Sequence, residues 1–84
     1  KNHIKQHLIY PKEALTNMIQ GQVVIEIIIE DSGAINEFKV LKSVHPLLDK
    51  EAMRVAKLIP KMTPGIVNKK AVRTKYQIPF NFKL

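Results

Sequence analysis

Two of the three histidines in this chain, His3 and His7, stand four residues apart, a spacing that puts both rings on one helix face where they could share a metal ion. The run His3-Ile4-Lys5-Gln6-His7 has the frame of a zinc-protease helix, but that chemistry needs a glutamate as general base at its second position, and Ile4 stands there. With no third ligand close by, the pair reads as surface or partly packed histidines. His45 and Asp49 repeat the spacing ahead of an apolar helical pattern and read as helix-entry caps, not a catalytic dyad. Ser43 has no base arranged around it in a recognisable pattern, the chain has no cysteine, and its three glycines form no phosphate-cradling loop. No enzyme is expected, and with it no catalytic residue, no metal and no cofactor.

What remains is surface and charge. Eighty-four residues, 45 % of them hydrophobic, suit one small domain over residues 1–84 whose core must hold without disulfides. There is no run of 18 apolar residues and no signal-like segment near Lys1. A start at Lys instead of Met suggests a fragment whose targeting and anchoring segments lie upstream. The net charge of +7 is uneven: residues 1–38 carry three lysines against five acids, whereas residues 39–84 carry eleven Lys/Arg against two acids. A basic second half suits an acidic peptide, nucleic acid or anionic lipid, and it also simply keeps a small domain soluble.

These groups must be positioned by elements that the apolar pattern outlines. Helical spacing of His3, Ile4, His7 and Leu8 predicts a short helix over 1–9, closed before Pro11. Pro11–Ile19 predicts a second, with Glu13 in its first turn and Gly21 as its stop. Val23–Glu30 is a β-branched run with Val23, Ile25, Ile27 and Ile29 on the core face and enough apolar residues on the other face to sit mid-sheet. Asp31-Ser32-Gly33 turns the chain into a second strand, Ala34–Ser43, with Phe38 and Val40 inward. Pro46 leads a helix burying Leu48, Ala52, Val55 and Ile59, which Pro60 ends, and Met62–Lys70 is expected to be a loop crossing back. From Val72 onward the even positions are mostly apolar (Val72, Thr74, Tyr76, Ile78, Phe80, Phe82, Leu84), the alternation of a long strand.

A right-handed strand–helix–strand crossover makes the last strand parallel to the second and antiparallel to the first. The expected architecture is α+β: a three-stranded antiparallel sheet in the order second, first, last, with helices on one face. Val72–Phe82 is then an edge strand, which suits Pro79, because a residue without an N–H is tolerated there. Arg73, Lys75, Lys83 and Pro79 read most plainly as protection of that edge, the alternative being that the edge accepts an incoming strand.

Several spaced landmarks carry a resemblance. Tyr10-Pro11 with Ala14, Gly21-x-Val23, Asp31-x-Gly33, His45-Pro46-Leu47-Leu48-Asp49 with Ala52, Pro64-Gly65 and Ile78-Pro79-Phe80-x-Phe82 occur in an order that resembles the C-terminal domain of the TonB family of energy transducers, a TonB/TolA-like fold, over nearly the whole chain. The resemblance implies a periplasmic domain at the end of an inner-membrane-anchored protein of a Gram-negative bacterium. Such a domain binds the N-terminal box peptide of outer-membrane receptors, siderophore receptors among them, and passes on force from a proton-motive motor engaged through upstream segments. It implies partner binding along the last strand, at Val72, Arg73, Thr74, Lys75, Tyr76, Gln77, Ile78 and Asn81, with His7, Leu8 and Ile9 nearby. Two departures stand out: Met62 takes a place where many relatives carry an aromatic, and Asn68-Lys69-Lys70-Ala71 is a more basic version of the loop before the strand.

Two other functions share these features: a TonB-like domain ending a membrane sensor or signalling protein, and a basic nucleic-acid-binding module. The latter needs aromatics exposed for stacking, whereas Tyr76, Phe80 and Phe82 share the expected core face, so no nucleic acid is expected. A free edge also leaves homodimers through Val72–Phe82 open.

Overall fold

The computed structural model describes residues 8–84. In chain order they form helix α1 (Lys12–Thr16), strands β1 (Gly21–Ile29) and β2 (Ile35–Lys42), helix α2 (Pro46–Leu58), short strands β3 (Gly65–Val67) and β4 (Lys70–Val72), and strand β5 (Thr74–Phe82). β1 lies between β2 and β5 and is antiparallel to both, which is the expected α+β architecture. Its central place follows from composition: Val23, Ile25 and Ile27 are fully buried on the helix side, and Ile28 is only 6 % exposed on the other.

Helix α2 lies over β1 and β2 with Leu48, Ala52, Val55 and Ala56 buried, the two alanines allowing close approach to the sheet. Its entry is capped twice. His45 Nδ1 accepts from Leu47 N–H at 3.1 Å with Pro46 in the first turn, while Asp49 accepts from the Ser43 hydroxyl and from Val44 N–H at 3.1 Å. The possible dyad is thus a cap, and Ser43 is engaged in it. Over β5 the cover comes from the opposite terminus: Leu8, Tyr10, Ala14 and Ile19 join the core that contains Ile78, Phe80 and Phe82.

Several expectations need correcting. The helix over 1–9 falls almost wholly outside the described residues, and Leu8–Tyr10 have no regular structure. Helix α1 stops at Thr16, well before Gly21: Asn17 is its C-cap, Met18 takes φ 54°, and Ile19 N–H turns back to Ala14 O at 2.8 Å. Gly21 instead opens β1, where a Cβ would meet both Val44 methyl carbons at 2.9 Å. In β2, Phe38 and Val40 pair with Ile27 and Ile25 on the core face as expected, but Ile35 joins them opposite Ile29. The cause is a bulge at Glu37, φ 52°, which adds one residue and reverses the facing of everything before it.

The segment 62–70 is not simply a loop. Gly65–Val67 and Lys70–Val72 pair as a separate hairpin across Asn68-Lys69, both at positive φ (50° and 66°), the twist-compatible two-residue turn. The last strand therefore does not run unbroken from Val72. Val72 pairs with Gly65, Arg73 is a break, and Thr74 fixes the corner: its hydroxyl accepts from Gly65 N–H at 2.7 Å and donates to Val72 O at 2.8 Å.

Candidate functional site

β5 pairs with β1 along its whole length, from Gly21 opposite Phe82 to Ile29 opposite Thr74, with no register shift. Its other side has no strand partner among the described residues. The sheet's second free edge, on β2, is different: register shifts fall between Val24 and Ile25 and between Ile27 and Ile28 of its neighbour, so its backbone is kinked twice. Bulges twist an edge away from further pairing, whereas a straight nine-residue strand keeps a continuous row of groups open.

Pro79 indicates which groups those are. Opposite Val24, a proline is accommodated without losing a ladder bond when its missing N–H falls on the free side. Backbone groups alternate along a strand, so the outward-facing set is then Lys75, Gln77, Pro79 and Asn81: four carbonyls and three N–H groups.

The sequence-predicted residues divide accordingly. Thr74, Lys75, Tyr76, Gln77, Ile78 and Asn81 lie on β5, with Lys75, Gln77 and Asn81 exposed on the face away from the helices. Asn81 Oδ1 accepts from Gln22 Nε2 at 2.9 Å across the strand pair. Ile78 is buried at 4 % exposure and serves the core. Tyr76 has core-face parity, opposite Ile27, yet is 48 % exposed, because α2 lies over β1 and β2 and leaves this part of β5 uncovered. A single exposed ring, with Phe80 and Phe82 buried, does not make a base-stacking platform. Val72 belongs to the hairpin, and Arg73 is engaged at the surface, its Nε 3.1 Å from Glu30 Oε1 and its Nη2 3.1 Å from Glu37 Oε2.

Of the second set, His7 lies outside the described residues, Leu8 packs partly against the core and Ile9 is 64 % exposed. Their neighbourhood was not anticipated. Tyr10 meets Phe82 edge to face with ring centroids 5.6 Å apart, and its hydroxyl donates to Ile19 O, so the entering chain rests on the C-terminal end of β5. Ile9 N–H donates to Glu51 Oε2 at 2.7 Å, and Arg54 holds the same carboxylate through Nε at 2.8 Å and Nη2 at 2.7 Å. Partial burial pushes the Glu51 carboxyl up, but the bonds from Arg54 and Ile9 with the Arg54 charge outweigh it, and the net shift is downward. Only the Glu51–Arg54 i,i+3 spacing was readable from the sequence; the Ile9 contact spans 42 residues.

Among the described residues no cluster of His, Asp and Glu is placed to hold a metal ion, and no helix is long and apolar enough to cross a membrane.

No curated protein matches the chain significantly. Two solution structures of the Helicobacter pylori TonB C-terminal domain are similar to it. The longer superposes with a TM-score of 0.67 at 26 % identity, covering 99 % of this chain and 77 % of the other. The shorter gives 0.63 at 26 % identity, covering 95 % and 86 %. Residues 6–84 match the family described as the Gram-negative bacterial TonB protein C-terminal, and with its sheet order and straight free edge the chain belongs to that family.

Proposed function

We propose that this domain grips a short extended peptide by adding it as a fourth strand to the free edge of β5. In this reading residues 1–84 are the periplasmic end of an inner-membrane-anchored energy transducer. Its partner is the N-terminal box of an outer-membrane receptor, and upstream segments bring force from a proton-motive motor to drive uptake of nutrients such as siderophores. The domain's task is gripping, and no reaction is catalysed.

The observation that carries this is the contrast between the two edges: β5 runs straight for nine residues with no strand partner on its outer side among the described residues, while β2 is bulged twice. Side chains support it. An added strand would set alternate residues beside half-exposed Tyr76 on one face and beside Lys75 and Gln77 on the other, offering an apolar contact and a cationic one. At a net of about 1 kcal/mol per hydrogen bond, several bonds plus such contacts reach about −8 kcal/mol, a micromolar grip that can be made and released. The entry of the chain also suits force transmission, because Tyr10 bears on Phe82, a residue of the receiving strand itself.

The test is an NMR titration of the labelled domain with receptor-box peptides and composition-matched scrambled controls. Amide shifts concentrated on Lys75–Asn81 for the box peptides alone are expected. Equal responses to both, or no movement of β5 at millimolar peptide, would remove the receptor role and leave a sensor domain or self-association as the better reading.

A further inference from the structure

The β3–β4 hairpin has a surface that peptide capture does not use. Ile66 and Val67 are 62 % and 55 % exposed, and adjacent strand residues face opposite ways, so neither face of the hairpin is packed on the body. Asn68, Lys69, Lys70 and Ala71 are all exposed as well. An isolated two-stranded hairpin is marginal in water, and this one is pinned at its base by the Gly65–Thr74 hydrogen bond of 2.7 Å and shaped at its tip by the positive-φ turn. The result is a preformed point carrying two bare aliphatic side chains and two ammonium groups.

The stretch of chain that carries it is basic, with Arg73 at its base paired to Glu30 and Glu37. After Glu51 the chain holds Arg54, Lys57, Lys61, Lys69, Lys70, Arg73, Lys75 and Lys83 and no Asp or Glu. Among the described residues Lys69 and Lys70 have no carboxylate partner. We propose that this hairpin tip docks on an anionic phospholipid surface, Ile66 and Val67 entering the headgroup–acyl boundary and Lys69 and Lys70 meeting lipid phosphates. Ile66 and Val67 face opposite ways, so the hairpin enters end-on, with the lysine stems in apolar surroundings and their ammonium groups reaching back to the polar level. An ordinary protein interface takes roughly 800 Å² per partner, whereas a bilayer contact can be made by a few side chains at a hairpin tip. Contact through so few residues is weak alone and becomes useful when the domain is already held near a membrane.

The whole domain, isotope-labelled, is mixed with phosphatidylcholine vesicles, with vesicles about a third phosphatidylglycerol, and, as the acidic-polypeptide alternative, with poly-glutamate. Partition to the anionic vesicles only is expected. A spin label on the headgroups should broaden amides of Ile66–Ala71 most in the unmodified domain, which needs no variant to fold. Lys69→Glu with Lys70→Glu should lower partition about tenfold or more. Ile66→Ser with Val67→Ser should lower it several-fold with the charge intact, and Lys50→Glu with Lys57→Glu on α2 should lower it less than the tip pair. Absence of partition, broadening centred elsewhere, indifference to the Ile66 and Val67 changes, an equal loss from the α2 pair, or equal perturbation of the tip by poly-glutamate would each overturn the proposal.

Discussion

Tyr10 joins three segments at one point: the incoming chain, the turn after α1 through Ile19 O, and the end of β5 through Phe82. Tyr10→Phe keeps the ring contact and strands Ile19 O, so a loss of about 0.5–1.5 kcal/mol in urea unfolding is expected; Tyr10→Ala removes both and should cost clearly more. Gly33 is a second fixed point. Its φ of 91° is in the glycine region, its carbonyl accepts from Met62 N–H at 3.1 Å, and an added Cβ would lie 3.1 Å from Met62 O. Gly33→Ala should therefore destabilise by roughly 1–3 kcal/mol in the same assay. The glycine was legible in Asp31-Ser32-Gly33, since a turn there requires positive φ. The Tyr10–Phe82 contact was not, because parity and spacing describe local faces and carry nothing about partners 72 positions apart. Tyr76 shows the same limit: alternation put it on the core side correctly, but which part of that side a helix covers is decided by where α2 lies.

For the elements, β1, α2 and β5 could be read because burial repeats at their own periods, and the order followed from crossover handedness. The β3–β4 hairpin escaped because its turn is Asn-Lys, where Lys69 occupies a positive φ usually left to glycine; Asn68 between Ile66-Val67 and Ala71-Val72 was the available signal. The Glu37 bulge escaped for a similar reason, a charged residue at φ 52° in mid-strand. The alternation inferred from Pro79 can be checked directly. Gln77→Pro removes an outward N–H and should leave the sheet folded while weakening peptide binding; Ile78→Pro removes a ladder bond and a buried side chain and should cost about 3 kcal/mol or more in thermal or urea unfolding. The N-terminal segment and α2 are joined by Glu51, whose carboxyl titrates below its ordinary range. A lowered folded value means that the stabilisation is present above the unfolded pKa of about 4.3 and is lost as pH falls through the folded one. Hydrogen exchange at Ile9 should accordingly quicken, relative to its intrinsic rate, as pH falls below the unfolded value, and Glu51→Gln should abolish that step.

At the scale of the molecule, among the described residues of this small cysteine-free domain the three-stranded sheet has one bulged edge and one straight edge, and the straight one, on β5, is the better suited to strand pairing. That same edge permits two copies to pair, and sedimentation at rising concentration should show any dimer dispersing when a box peptide is added. Backbone pairing should also change little with salt, unlike contacts made by the basic surface. The absence of native cysteine makes the arrangement open to disulfide trapping. Single cysteines at Lys75, Gln77 and Asn81 on β5, and at Lys39 and Lys42 on β2, would be challenged with box peptides carrying one cysteine at successive positions. Strand addition predicts crosslinks on β5 alone, with the favoured peptide position moving in two-residue steps along the strand. Trapping on β2 as readily as on β5, or on β5 with no dependence on peptide position, would contradict the claim that the partner joins the sheet as its fourth strand.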